Sequence, residues 1–241
     1  MHALARGVLL SLTLLFASVG CGAATPRAGT LSYARLPEGA APRDEDFEAA
    51  IAGTGERAER VVLARVETGS ASWVVWARSG PGSRLVRIER THVGLEVRDA
   101  RWLPGTPVRP TLGAWPVGDR VVVAAESSDD PSSTTRRARL FTDDGAVLHP
   151  LALEGSDAEL SIRSERRAPI EGGWERLATC TTTLGSDAHA LVLHEHASVR
   201  EIAPARPSLP ARSTYEVDRT RRLRLEDAQL VADRPSLFDG L

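Results

Sequence analysis

The chain has 241 residues, enough for one domain or two small ones, and its 42% hydrophobic and 26% charged residues are typical of a protein with a packed core. Its formal net charge of −2 creates no global field that would attract DNA or RNA, so nucleic acid is excluded as an expected partner. All 30 basic residues are arginine, which excludes Schiff-base lysines, lysine general bases and phosphate-loop lysines.

The first residues have the pattern of an export signal. Arg6 supplies a positive charge, and an apolar run follows from Val8 to Val19. About twelve helical residues rise only about 18 Å, less than the roughly 30 Å of a bilayer's hydrocarbon core. A cleaved signal peptide over residues 1–20 is therefore favoured over a transmembrane helix.

Ser18, Val19, Gly20 and Cys21 resemble the lipobox of bacterial lipoproteins, with Ser18 where that family usually has leucine. The resemblance implies cleavage before Cys21 and acylation of Cys21, including palmitate, so that the membrane becomes a partner of the mature chain. Two or three acyl chains anchor a protein durably. Gly22, in place of aspartate, implies sorting to the outer membrane of the bacterial cell envelope.

A linker and a short helix are expected next. Residues 23–42 are rich in Ala, Pro and Gly, so we assign 21–43 to a lipid-anchored linker. Asp44, Glu45 and Asp46 then precede a helical pattern from Phe47 to Ala52. Acidic residues in a first turn favour the helix dipole, and Gly53 is a plausible end.

From residue 60, short apolar runs alternate with turn residues every 8 to 12 positions, which predicts an all-β domain. We assign the domain to residues 44–228 and a C-terminal tail to 229–241. Runs such as 61–64 and 121–123 are apolar on both faces and predict strands in the middle of sheets that are covered on both sides. The predicted strands are 60–64, 72–78, 84–89, 93–98, 120–124, 137–142, 146–153, 159–163, 176–178, 190–196, 199–202, 215–217 and 221–225.

The strands suggest an antiparallel meander that is repeated about three times. The sequence RVVLA at 60–64 recurs as RVVVA at 120–124 and more faintly as RLA at 176–178, a period of 56 to 60 residues. Three such units fit a partial propeller-like arrangement, an irregular barrel or a sandwich, since a propeller normally needs four blades. Chance similarity among β-meanders is the alternative.

Three histidines lie within eight residues on one predicted hairpin. Strand alternation places His194 and His196 on the same face, about 6.8 Å apart, with Glu195 on the opposite face. That spacing allows two imidazoles to share a metal, and His189 is a third candidate ligand. The alternative is a polar, solvated strand face, because no zinc-binding spacing of recognised type is present.

Three other groups of residues have a functional and a structural interpretation. Cys180 is either a buried small hydrophobe or a reactive thiol. Arg219, Arg221, Arg222 and Arg224 form either a polyanion-binding cluster or a salt-bridged edge strand. The tryptophans either stack on sugars or anchor the core, and alternation predicts that at most one of Trp73 and Trp76 faces the core.

The sequence contains no phosphate-binding loop, nucleophile elbow or dinucleotide-binding motif, and it predicts no cofactor. We therefore expect a non-catalytic envelope lipoprotein whose β-domain binds or scaffolds a protein or glycan partner. The alternative is a metal-binding periplasmic protein, or a metal-dependent hydrolase, that uses His194 and His196. Catalytic residues that are assembled by the fold are not visible to motif analysis.

Overall fold

The computed structural model describes residues 33–36, 39–52, 60–128, 130–153 and 159–240. This part of the chain is an irregular sandwich of two sheets with a single α-helix, which confirms the all-β prediction and the short N-terminal helix. No helix within these residues is long and apolar enough to cross a membrane.

The helix α1 spans Asp44–Ala52. The strands are β1 (Tyr33–Ala34), β2 (Arg60–Gly69), β3 (Ser72–Ser79), β4 (Gly82–Thr91), β5 (Gly94–Leu103), β6 (Val108–Val117), β7 (Arg120–Ser128), β8 (Arg136–Asp143), β9 (Leu148–Pro150), β10 (Ala152–Leu153), β11 (Glu159–Ile170), β12 (Trp174–Ser186), β13 (Ala190–Ile202), β14 (Arg212–Glu226) and β15 (Gln229–Ala232). Two 3₁₀ turns occupy Glu171–Gly173 and Leu237–Gly240.

The strands form two sheets. The first sheet has the order β1-β5-β4-β3-β2 and is antiparallel throughout. The second sheet has the order β10-β15-β14-β13-β12-β11-β8-β7-β6, with β9 paired to β8, and its only parallel pair among these strands is β10 with β15. The first predicted repeat corresponds to the first sheet. The second and third share one continuous sheet, so the repeats are not separate propeller blades.

The first sheet is buried on both faces. Its outer side packs against α1, where Phe47 lies edge-on to Trp73 with ring centroids 5.6 Å apart. Its other side contributes Val74 and Trp76 to a core shared with the second sheet. The prediction that at most one of Trp73 and Trp76 faces the core is wrong, because the two side chains are 7% and 3% exposed in two different cores.

The second sheet doubles back on itself around a third core. Val122 on β7 faces this core, together with Leu191, Leu193 and Leu223, while Val123 faces the first sheet. This confirms that the run 121–123 is covered on both sides. The run 61–64 also contributes to two cores, but β2 is the edge strand of its sheet and not a middle strand.

Several elements differ from the sequence-based expectation. The edge strand β6 contains Pro110 and Pro116, which disfavour a strand in local patterns but are tolerated at a sheet edge. Residues 190–202 and 212–226 each form one long strand instead of two short ones. Within the segment assigned to the linker, Tyr33–Ala34 pairs with β5, and within the segment assigned to the tail, Gln229–Ala232 pairs with β14.

Polar contacts fix the first sheet on the second. Arg87 Nε on β4 donates to Asp143 Oδ1 at the end of β8 at 2.8 Å, and both side chains are less than 5% exposed. Nearby, Asp99 Oδ2 accepts a hydrogen bond from the Leu148 N–H at 2.9 Å, and Arg101 Nε donates to the Leu148 carbonyl at 2.8 Å. These directional bonds add a geometric requirement to the apolar packing between the two sheets.

We expect Arg87→Met to lower the free energy of unfolding by about 3–5 kcal/mol, because it leaves the Asp143 carboxylate buried without its cation. The double variant R87M/D143L should recover part of that loss. Urea unfolding of the full chain measures both. Arg222→Met is the matched control, since it removes an exposed pair with Asp187 (side chains 58% and 41% exposed) and should lower the free energy of unfolding far less than Arg87→Met. Equal losses of unfolding free energy for R87M and R222M would contradict the conclusion that the Arg87–Asp143 pair stabilises the contact between the two sheets.

Candidate functional site

The residues singled out in the sequence between 180 and 224 lie on one structural unit, which we call the arm. It consists of β12, β13 and β14, which have 13, 13 and 15 residues, together with residues 233–240, which cross its inner face and are called the crossing segment. The inner face is the one that carries Leu191 and Leu193 into the core, and the outer face carries His194 and His196. The strands are long enough for one end to pack in the core while the other end extends past it.

A buried ion pair lies where the inner face leaves the core. Glu195 is 1% exposed and Arg221 is 8% exposed, and Arg221 Nη2 is 3.1 Å from Glu195 Oε1. The crossing segment supplies two more donors to this carboxylate, the Ser236 hydroxyl at 2.8 Å and the Leu237 N–H at 3.0 Å. A buried carboxylate is stable only when it is paired and hydrogen-bonded, so the crossing segment is part of the charge's environment.

Cys180 lies beside this pair and is fully buried, which confirms the interpretation as a small buried hydrophobe. Its apolar neighbours are Ala197, Leu237, Val217 and Phe238. Burial, reinforced by the Glu195 carboxylate, raises the pKa of the Cys180 thiol to about 11. The protonated thiol is a poor nucleophile, so this residue is not set up for covalent chemistry.

The outer face of the arm is polar. His194 Nδ1 is 3.2 Å from Thr220 Oγ1, and His196 Nδ1 is 2.9 Å from Asp218 Oδ1. The two histidines share a face and Glu195 points away, as alternation predicts. His189 lies apart from them in the β12–β13 turn, where its N–H donates to Asp187. Within the described residues, no group of three or more His, Cys, Asp or Glu side chains is arranged to hold a metal ion.

The structure does not bring the four arginines of β14 together on one surface. Arg221 is committed to Glu195, and Arg219 Nη1 donates to the Pro235 carbonyl at 3.1 Å. Arg222 Nε donates to Asp187 at 3.0 Å. The His189 N–H, and after it Arg222, lower the pKa of the Asp187 carboxyl. Arg224 Nε lies 3.9 Å from Glu226 Oε1. Each guanidinium thus has a local role in the fold.

The end of the arm that extends past the core forms an apolar groove. The groove has a volume of about 530 Å³ and lies between β13, β14 and the crossing segment. Tyr215 is 52% exposed at the rim of the groove. The residues that line the groove are Ala197, Val199, Tyr215, Val217, Arg219, Pro235, Ser236, Leu237 and Asp239.

A smaller cavity of about 220 Å³ lies between the two sheets. Its floor contains Trp76, whose indole N–H donates to the buried Ser83 hydroxyl at 3.0 Å. Arg137 and Arg139 lie at its mouth, and both bond to Glu159. Burial alone would raise the pKa of Glu159, but the two guanidinium groups outweigh it and lower that pKa. The charges of this cavity are therefore already paired within the chain.

The tryptophans do not form a sugar-binding platform. Trp73 and Trp76 are buried, and Trp115 packs against the core of the second sheet. Trp102 is 52% exposed but lies under the Arg84 guanidinium, and Trp174 lies under Arg212 at the end of the arm. The two more accessible indoles are thus on different sheets, each covered on one face by arginine.

Sequence reasoning did not identify the groove or the Glu195–Arg221 pair. The available signal was the alternation of β13, which places Glu195 in the same row as Leu191 and Leu193. A carboxylate in an apolar row requires a buried partner, but the partner is 26 positions away along the chain and its identity depends on strand register. The groove depends on the crossing segment, whose path no local pattern specifies.

The raised pKa of Cys180 predicts a pH dependence of stability. The unfolded chain releases the thiol proton near the ordinary value of 9.0, whereas the folded chain holds it until about pH 11. The free energy of unfolding should therefore fall as the pH rises from 9 to 11, more steeply than in a Cys180→Ala variant. Denaturant titrations of the Cys21→Ser chain, with and without Cys180→Ala, measure the two slopes. Identical slopes would contradict the prediction.

We expect the full chain, purified without chelators, to retain less than about 0.1 equivalent of zinc. Two imidazoles without a third ligand make a weak zinc site. A His194→Ala/His196→Ala variant should retain the same amount. Elemental analysis of both proteins gives the answer. Near-stoichiometric zinc that is lost in the double variant would restore the metal hypothesis.

Comparison with known proteins assigns the chain to no group. No family model matches the sequence, and neither the curated proteins nor the solved structures contain a significant match.

Proposed function

We propose that this chain is a non-catalytic lipoprotein of the bacterial outer membrane, anchored by acylated Cys21, whose β-domain binds a partner protein through the groove of the arm. The anchor is supported by the signal-like residues 1–20 and the lipobox-like residues 18–21. The composition of residues 23–42 suits a tether that separates the domain from the lipid surface.

The single observation that carries the binding role is the exposed groove on the arm. Val199 and Tyr215 line it without belonging to a cluster of core residues, whereas Val217 and Leu237 line it and also pack around Cys180. Concave apolar surfaces with a polar rim are the usual form of interaction sites on soluble domains. Arg219, Ser236 and Asp239 provide that rim here.

A protein partner fits the groove better than a glycan. Sugar sites commonly use an open aromatic face, and the groove offers one tyrosine at its rim and aliphatic side chains elsewhere. The non-catalytic assignment is supported in the same region by Cys180, because its thiol is buried and has a raised pKa.

A photo-crosslinking amino acid at Tyr215 should give a discrete crosslinked species in intact cells that express the full chain. The same probe at Val93, which is 38% exposed on the first sheet, is the matched control. Immunoblotting of the chain detects the mass shift. Crosslinks of equal yield at both positions, or none at Tyr215, would contradict binding through the groove.

A further inference from the structure

We infer that the groove's partner is an extended, basic segment of protein that adds as a new strand to the free edge of β14. This inference rests on the proposed function and names the chemistry of its partner. It depends on three observations: an unpaired strand edge, two carboxylates along that edge, and the groove beside it.

The edge of β14 is only partly covered. β15 pairs with β14 from Leu223 to Glu226, and the Asp233 N–H then donates to the Arg222 carbonyl at 3.0 Å. From there the chain leaves the edge and crosses the inner face toward Glu195. No other strand that the structure describes pairs with this edge between Tyr215 and Arg221.

Arg222 shows which backbone groups face the open edge. Its carbonyl accepts from Asp233 N–H and its own N–H donates to Asp233 Oδ1, so both groups point away from β13. In an antiparallel ladder these directions alternate residue by residue. The register with β13 is unbroken from Glu216 to Arg224, so Glu216, Asp218 and Thr220 direct their N–H and carbonyl groups to the open edge.

The charge of this edge favours a basic partner. The side chains of Glu216 and Asp218 lie on the outer face, where they are 54% and 83% exposed. Thr220 is the next residue of β14 on that face, and Arg219 lies on the inner face. On the side away from the open edge, His196 of β13 contacts both carboxylates, so an added strand approaches them from the opposite side. Oppositely charged residues that face each other across two strands stabilise pairing. Arginine or lysine on the outer face of an added strand meets this condition.

The inner face favours apolar residues at the alternate positions of the same partner. Tyr215 and Val217 lie on β14 next to the open edge and form one wall of the groove. Side chains of an added strand that point inward would contact these two residues. The partner is therefore a segment in which basic and apolar residues alternate, bound by strand addition.

A second copy of this chain is disfavoured as the partner. If β14 paired antiparallel with β14 of another copy, the carboxylates of Glu216 and Asp218 from both copies would lie at or near the two-fold axis. Like charges opposite each other destabilise strand pairs. The same charges protect the edge against aggregation and leave it open to a partner of opposite charge.

Binding of two eight-residue peptides tests the charge requirement. Fluorescence anisotropy with the full chain should show a peptide of alternating Arg and Val binding at least about tenfold more tightly than one of alternating Glu and Val. A peptide of alternating Arg and Pro has the same charge but cannot form a regular ladder, and it should also bind at least about tenfold more weakly. Equal binding of the Arg–Val and Glu–Val peptides, or of the Arg–Val and Arg–Pro peptides, would overturn the inference.

A matched pair of variants tests strand addition. Asp218→Asn and Asp218→Pro both remove the carboxylate, but only proline removes the N–H that faces the open edge. We expect the Arg–Val peptide to bind Asp218→Pro at least about tenfold more weakly than Asp218→Asn, with both variants folded by circular dichroism. Equal affinities would overturn strand addition. Equal affinities together with a specific Tyr215 crosslink in cells would reject strand addition and leave the proposed function standing. Absence of the Tyr215 crosslink would contradict the proposed function itself.

Discussion

The buried pair between Arg87 and Asp143 is the contact on which the arrangement of this domain depends. It joins the middle of the first sheet to the end of β8, across a largely apolar core, and it is the ion pair among the polar contacts between the two sheets described above. Close packing of apolar side chains already restricts the two sheets, and a buried guanidinium and carboxylate add a second requirement because they are stable only when they face each other. Any arrangement of the second sheet, including the arm, must meet this requirement.

The arm also contains a buried carboxylate that must be paired, and there the pairing involves a segment of chain that crosses the sheet. Glu195 is buried like Asp143, but its donors come from Arg221 and from the crossing segment. To satisfy the carboxylate, the chain must leave the edge of β14 after Asp233 and cross the inner face. That path creates one wall of the groove and leaves the edge of β14 open. The candidate interaction site is thus a by-product of satisfying one buried charge.

Local patterns were sufficient for some features and not for others. The acidic turn at residues 44–46 predicted α1, and the two-sided apolar run at 121–123 predicted a strand that is covered on both faces. The strand β6 was missed because Pro110 and Pro116 are compatible with a strand only at an edge, and edge position is a property of the whole sheet. The continuity of β13 was missed because Ala197 and Ser198 are small residues that separate two runs of larger side chains, although both are buried within the strand.

The candidate site was less predictable than the fold, for a specific reason. Alternation correctly separated His194 and His196 from Glu195, because it requires only the period of a strand. The partners of these residues lie on β14 and in the crossing segment, 20 to 42 positions away, and they depend on register and on the path of that segment. Sequence periodicity carries no information on either.

The crossing segment also sets an order of events in the life of the chain. Glu195 emerges from the ribosome 41 and 42 residues before Ser236 and Leu237, which supply two of its donors. During synthesis, the donors of this carboxylate are therefore incomplete until the late segment has been made. The residues of the first sheet and its helix have all appeared by then. The inner face of the arm, with its candidate groove, can be completed only after nearly the whole chain exists.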